Sequence, residues 1–311
     1  MPSITLPESA KLAQDEFVSG VIESIITVNE MYRYMPFDAI DGNALAYNRE
    51  NVLGDVQFLG VGDTITAKSQ ATVTQVTSTL TTLIGDAEVN NLIQATRSSD
   101  GNDQTAIQIA SKAKNLGRQY QDRIINGTGT NDEFPGLIQL TPSSQMADTG
   151  ANGAPLSFSM LDELVELVTA KDGIVDFFMM HSRVIRRYKQ LLRQLGGASI
   201  NEVIELPGGY RIPVYNGIPI FRNDYIPTNQ VKGSSSNRST IWAGCFDDGS
   251  RKLGIAGLTA RNDSGISLTD VGEKEDKDEH IWRVKWYCGF ALFSERALAA
   301  ADGVSYELDP E

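Results

Sequence analysis

Residues 71–84 read ATVTQVTSTLTTLI, a run rich in Thr and Val with no Gly or Pro. Branched side chains stand well on a pleated surface and crowd a helix, so the run is a long extended strand. Its apolar positions are sparse: Ala71, Val73, Val76, Leu80, Leu83 and Ile84. A strand with so little to bury contributes little to its own core, which points to a packing partner outside its own domain. Apolar residues occupy odd positions at Ala71 and Val73, then even ones at Val76, Leu80 and Ile84. Side chains alternate between faces, so this change of parity predicts a bulge or twist near Gln75.

The preceding ALAYNRENVLGDVQFL and the Gly-rich GVGDTITAKSQ complete a hairpin over 44–84. A two-stranded ribbon is marginal alone in water. Gly85 and the helix-like DAEVNNLIQATRS come next, so no third strand is expected directly after it. Ahead of the hairpin, Leu12, Val18, Val21, Ile22, Ile25, Ile26 and Val28 mark a loosely amphipathic helix over 7–30, followed by an irregular aromatic stretch.

Beyond the hairpin, Ala106, Ile109, Ala110, Ala113, Leu116, Tyr120 and Ile124 recur at helical spacing. They predict a long helix over 98–126, capped by SSD and ended by NGTGTN. EFPGLIQL reads as a short extended piece, and Ser159 with Asp162 as a capping box opening MLDELVELVTAK. GIVDFFMMH is a buried strand, Ser182 caps RVIRRYKQLLRQL, and three short strands follow with turns at PGG and NG. Residues 228–239 read as a loop, TIWAGCF and HIWRVKWYCGFALF as central strands, and SERALAAAD as a short closing helix. The whole is α+β, with one region from 86–156 plus 240–311 and an insertion at 157–239.

The formal charge of −13 argues against a protein whose main task is gripping nucleic acid, because phosphate neutralisation needs surplus Lys and Arg. Cys245 and Cys288 sit in apolar strand-like surroundings and read as small buried thiols. No secretory signal and no membrane-length apolar stretch is present, so the chain is read as cytoplasmic where it is made, without a membrane partner.

Catalytic chemistry finds little support. His181 and His280 are the only histidines, and neither has the neighbours of a metal site; no G-x-S-x-G elbow appears. NGTGTN lacks the spacing of a phosphate loop and follows a helix rather than opening one. No catalytic, metal or cofactor site is therefore expected. The helix at 183–195 carries Arg183, Arg186, Arg187, Lys189 and Arg193 opposite an apolar side. That basic face is either solvated or in ionic contact with an acidic surface of a neighbouring copy, for which GEKEDKDE (272–279) is one candidate.

The order of parts carries more than any motif. A helical arm, a protruding Thr-rich hairpin, a long helix ending in NGTGTNDEFPGLIQ (126–139), and LPGGYRIPVYNGIPIFRNDYIP precede a return through WYCGFALFSERALAAADGV. This order resembles the major capsid proteins of tailed double-stranded DNA phages, the Hong Kong 97-type coat fold, over nearly the whole chain. The resemblance implies an N-terminal arm at 1–43, an extended loop at 44–85, a peripheral domain from 86–156 and 240–311, and an axial domain at 157–239. It makes the helix at 98–126 the spine of the peripheral domain. It implies a structural protein, not an enzyme, whose copies assemble as hexamers and pentamers of an icosahedral head. Such a head encloses double-stranded DNA without reading its sequence, in the virion and, during assembly, in the host cytoplasm.

The partners so implied are a separate scaffolding protein, since the arm is short, a portal, and a cement or decoration protein. Val76, Leu80, Ile84 and Lys68 of the extended loop, and Arg183, Arg186 and Arg187 of the axial helix, are the candidate contacts between copies. Some relatives crosslink a loop Lys to a late Asn; Lys68 matches by position, yet no Asn follows Asn262, so crosslinking is not expected. The same fold also serves encapsulin-like shells that hold enzyme cargo. A soluble hydrolase using His181 is the reading from a different class.

Overall fold

The structure is a computed structural model that describes residues 31, 34–97, 103–170, 173–194, 203–206 and 210–307. The helix expected over 7–30 and the SSD cap lie outside the described residues. Along the chain, β1 (Phe37–Ile40), β2 (Ala44–Val52), β3 (Thr72–Thr79) and β4 (Thr81–Asn90) lead into α1 (Asn91–Arg97) and α2 (Gln104–Asn126). Next come α3 (Leu137–Leu140), β5 (Ala154–Pro155), α4 (Phe158–Thr169), β6 (Phe177–Met180) and α5 (Ser182–Gln194). Strands β7 (Val203–Leu206), β8 (Tyr210–Tyr215), β9 (Ile218–Arg222), β10 (Gln230–Lys232) and β11 (Ser235–Gly244) follow. The last four are β12 (Ile255–Ala260), β13 (Ser267–Glu273), β14 (Glu279–Leu292) and β15 (Leu298–Ser305).

Two sheets organise these elements. In the first, the long β14 is central: β4 runs along one side, while β13 and then β12 share the other, with β1 parallel to β12 at the edge. The face of β14 carrying Val284, Trp286 and Cys288 is buried against α2, whose Leu116, Tyr120 and Ile124 recur on one side. Tyr120 and Trp286 rings meet at 4.4 Å, the aromatic centre of that core. Burial pushes the Cys288 thiol up to about 12, so it stays protonated and acts as packing.

The second sheet runs β5-β15-β11-β6-β9-β8-β7, with β10 added to β11, and α4 and α5 supply its second core layer. It joins strands of the 157–239 stretch to β11 and β15, so those residues do not form a sheet of their own. Asn216 and Gly217, both at positive φ, make the β8–β9 turn that the NG dipeptide predicts. Gly127 and Gly136 knit the end of α2 together: Gly136 N–H donates to the Gly127 carbonyl at 2.9 Å. A Cβ on either would sit within 2.7 Å of a backbone oxygen, which explains the glycines of NGTGTNDEFPGL.

Several expectations are corrected. The change of face comes at Leu80, not Gln75: Val76 and Ser78 point inward on β3, and Ala87 and Val89 on β4. There the strand leaves β2 and joins β14, running through Gly85 to Asn90, because ten ladder positions against β14 outweigh one glycine. The hairpin's own register shift lies between Glu50 and Val52. LIQL is a helical turn, α3, rather than extended. LAAAD is strand β15, because small alanines pack fully buried between β11 and α4, and that packing overrides helix propensity. Residues 230–238 pair as β10 and β11 instead of looping. The caps are Asp103, accepting from Thr105 N–H, and Ser157, accepting from Met160 N–H, the latter in place of Ser159.

Candidate assembly interface

Strand β2 fastens the hairpin to the body by its root. The Tyr47 hydroxyl donates to the Leu292 carbonyl at 2.8 Å, and its ring meets Phe293 edge-on at 5.2 Å. Arg49 Nε donates to the Phe293 carbonyl at 2.9 Å, and Nη1 reaches Glu295 Oε1 at 2.6 Å. Charged donors on carbonyls make the stronger class of hydrogen bond. The base of the return strand is shaped by Gly289, where a Cβ would lie 2.8 Å from the Thr79 carbonyl oxygen.

Beyond Val52 the ladder stops; Asp55 N–H still donates to the Ser69 carbonyl at 3.3 Å, and the Gln57 amide ties the tip together. Gln57 Oε1 accepts from Thr66 N–H (2.8 Å), Thr66 Oγ1 (2.7 Å) and Ala67 N–H (2.7 Å), and Nε2 donates to the Thr64 carbonyl. Asp63 caps the turn by accepting from Gly60 N–H at 2.9 Å. The tip presents apolar side chains outward: Leu53, Ile65 and, almost wholly exposed, Val56, Phe58 and Val61. A cluster of this kind on one short segment marks an interaction surface.

The candidate loop residues divide. Val76 is half-buried opposite Tyr47, and Leu80 packs on the small cluster of Ile40, Leu258 and Phe293, so both have partners within the chain. Ile84, opposite Lys285, and Lys68, in the returning tip, are exposed. The tip residues Val56, Phe58 and Val61 are not among the contacts expected from the sequence. Their signal lies in NVLGDVQFLGVG, where six apolar residues crowd around three glycines.

On α5, Arg186 is exposed, Arg183 lies over the Tyr306 ring at 5.3 Å, and Arg187 is buried, with Nη1 on Gln190 at 2.9 Å. Arg187 therefore leaves the basic face; Lys189 and Arg193 remain on it. The helix is capped by His181 rather than Ser182: its carbonyl accepts from Ile185 N–H, and its Nδ1 accepts from Arg183 N–H at 3.0 Å. Ser182 Oγ lies 3.4 Å from Nδ1 and Asp224 Oδ1 lies 3.9 Å from Nε2, so three triad residue types do gather. They are committed elsewhere, since Nδ1 holds the helix start and Asp224 is bound to Arg222 and Ser182 N–H. Burial holds the His181 imidazole below its ordinary value, against the raising effect of Asp224. Among the described residues no His, Cys, Asp and Glu group is arranged to hold a metal.

The fold is shared with solved shells. The SrpI encapsulin of Synechococcus elongatus PCC 7942 superposes with a TM-score of 0.76 at 17% identity, covering 100% of this chain and 99% of that one. The capsid of the native GTA particle gives 0.65 at 12% identity, covering 98% and 100%, and the capsid of Myoviridae phage XM1 gives 0.63 at 12%, covering 97% and 100%. No curated protein matches by sequence. Residues 59–205 match the family model of the SU10 major capsid protein. The chain has the Hong Kong 97-type coat fold, and its residues 59–205 resemble a major capsid protein family. The family match takes in Phe58's neighbours on the tip, the return strand, α2 and α5. The resemblance stated from the sequence is matched in fold over the whole chain and by a capsid family model over 59–205.

Proposed function

We propose that copies of this coat protein close into hexamers and pentamers of an icosahedral head around double-stranded DNA. The observation that carries the reading is the hairpin: rooted by Tyr47 and Arg49, ordered by Gln57, and tipped with Val56, Phe58 and Val61 that none of the described residues covers. Such a tip gains its burial on another copy. Each copy both offers a tip and receives one, which is a head-to-tail relation able to close rings.

In this reading residues 1–43 are the arm and 44–85 the extended loop. Residues 86–156 with 240–311 form the peripheral part around α2, and 157–239 the axial part at the capsomer centre. The role is structural rather than enzymatic, consistent with a His181 whose acceptor nitrogen caps α5. A charge of −13 lets packed DNA leave without tight backbone binding. Scaffolding, portal and cement proteins are the expected partners, with assembly in the host cytoplasm. Electron microscopy of purified protein tests the proposal: closed particles or capsomers are expected, and a discrete monomer at high concentration overturns it.

The second reading, a cargo-holding compartment, is favoured by the encapsulin superposition, which concerns the fold alone. Particles from the native source containing double-stranded DNA support the head; particles filled with protein support the compartment.

A further inference from the structure

The two ends of β14 carry opposite charge. At its start, the turn from β13 holds five carboxylates against two lysines over residues 273–279. Lys274 is committed to Glu88 and Glu279 at 3.2 and 3.7 Å. The turn is closed by Lys274 N–H on the Glu279 carbonyl and braced by Asn91, whose Nδ2 donates to Asp278 Oδ1 at 2.7 Å. Glu275 and Asp276 stand exposed at its convex tip, with no ion pair among the described residues.

At the other end, immediately after Leu292, lies a groove of about 670 Å³ between the hairpin root and the body. Arg49, Arg251, Lys252 and Arg296 line it against Glu50 and Glu295. Glu295 is taken by Arg49, and Arg251 by Asp38 at 3.0 Å. Lys252 and Arg296 are exposed and make no ion pair among the described residues. The groove thus carries exposed cations and the turn exposed anions, none of these four in an ion pair among the described residues.

We infer that the Gly272–Glu279 turn of one copy seats in the groove beside Lys252 and Arg296 of another, making a head-to-tail contact through the two ends of β14. The contact is between copies because β14 is 14 residues long and keeps its own turn and groove roughly 40 Å apart. The basic ridge of α5 is the weaker receptor, since Arg183 is engaged by Tyr306 and Arg187 is buried. Complementary potentials steer encounter and fix register, and a contact repeated on every copy adds over the shell.

The inference rests on the shell reading, and its test separates the two. Purified subunits are assembled over a concentration series and scored by size-exclusion chromatography and negative-stain microscopy. Lys252→Glu with Arg296→Glu is expected to raise the concentration needed for assembly about tenfold or more, as is Glu275→Lys with Asp276→Lys. Thermal melting of the unassembled subunit should stay unchanged in both. The four changes together restore assembly, because the charges are exchanged rather than lost. Wild-type particles with reversals that assemble equally well, or a fourfold variant that is not rescued, overturn the inference and leave the shell reading standing. A wild-type chain that forms no particles overturns both.

Discussion

Arg49 and Glu295 meet at 2.6 Å across 246 positions of sequence, and the same guanidinium reaches the Phe293 carbonyl at 2.9 Å. The hairpin is thereby set at a fixed angle to the end of β14. Arg49→Ala removes charge-assisted bonds to backbone carbonyls that water can partly replace, so the loss is about 1–2 kcal/mol. The check is amide hydrogen exchange on the subunit: residues 44–52 should lose protection while β14 keeps its own.

The tip is a different matter. Phe58 and Val61 are more exposed than in an extended reference peptide, at 107% and 111%. Replacing both with Ser removes nothing from the subunit's core, so its stability should move by less than about 0.5 kcal/mol. Shell formation should fail at subunit concentrations where the parent assembles, as read by electron microscopy.

Leu80 behaves as core. Its half-buried side chain packs on Ile40, Leu258 and Phe293, and Leu80→Ala should cost about 1–2 kcal/mol in urea unfolding, less than a fully buried leucine. Ile84→Asp, on the exposed side of β4, should leave unfolding unchanged. The pair separates what belongs to the chain's own fold from what is free to meet a neighbour.

That separation marks where the sequence was legible. The long period of Leu116, Tyr120 and Ile124 specified α2, and the apolar run around Trp286 specified β14, because each buries one uninterrupted face. Strand β4 and the alanines of β15 were not legible, since ladder pairing and close packing override a local glycine or a helix former. Leu80 looked unpartnered because its neighbours Ile40 and Leu258 lie far away in sequence. Arg187 looked solvated because spacing alone cannot tell which side of a basic helix turns inward. The hairpin was legible as an oddity of burial, but its exposed tip was not, because exposure depends on where the ladder ends.

His181 supplies a pH-dependent cap. Its Nδ1 accepts from Arg183 N–H only while unprotonated, so the Nε2–H tautomer faces Asp224. The folded value lies below the ordinary 6.5, chiefly because burial disfavours the cation. The unfolded state therefore binds the proton first: the contribution is complete above pH 6.5 and is lost as pH falls below it. His181→Asn keeps a side-chain acceptor for the helix start and removes the titration. Thermal melting of the two proteins should agree in pH dependence above neutrality and diverge below pH 6.5, with the Asn variant losing less. Parallel acid limbs would assign the loss to other groups.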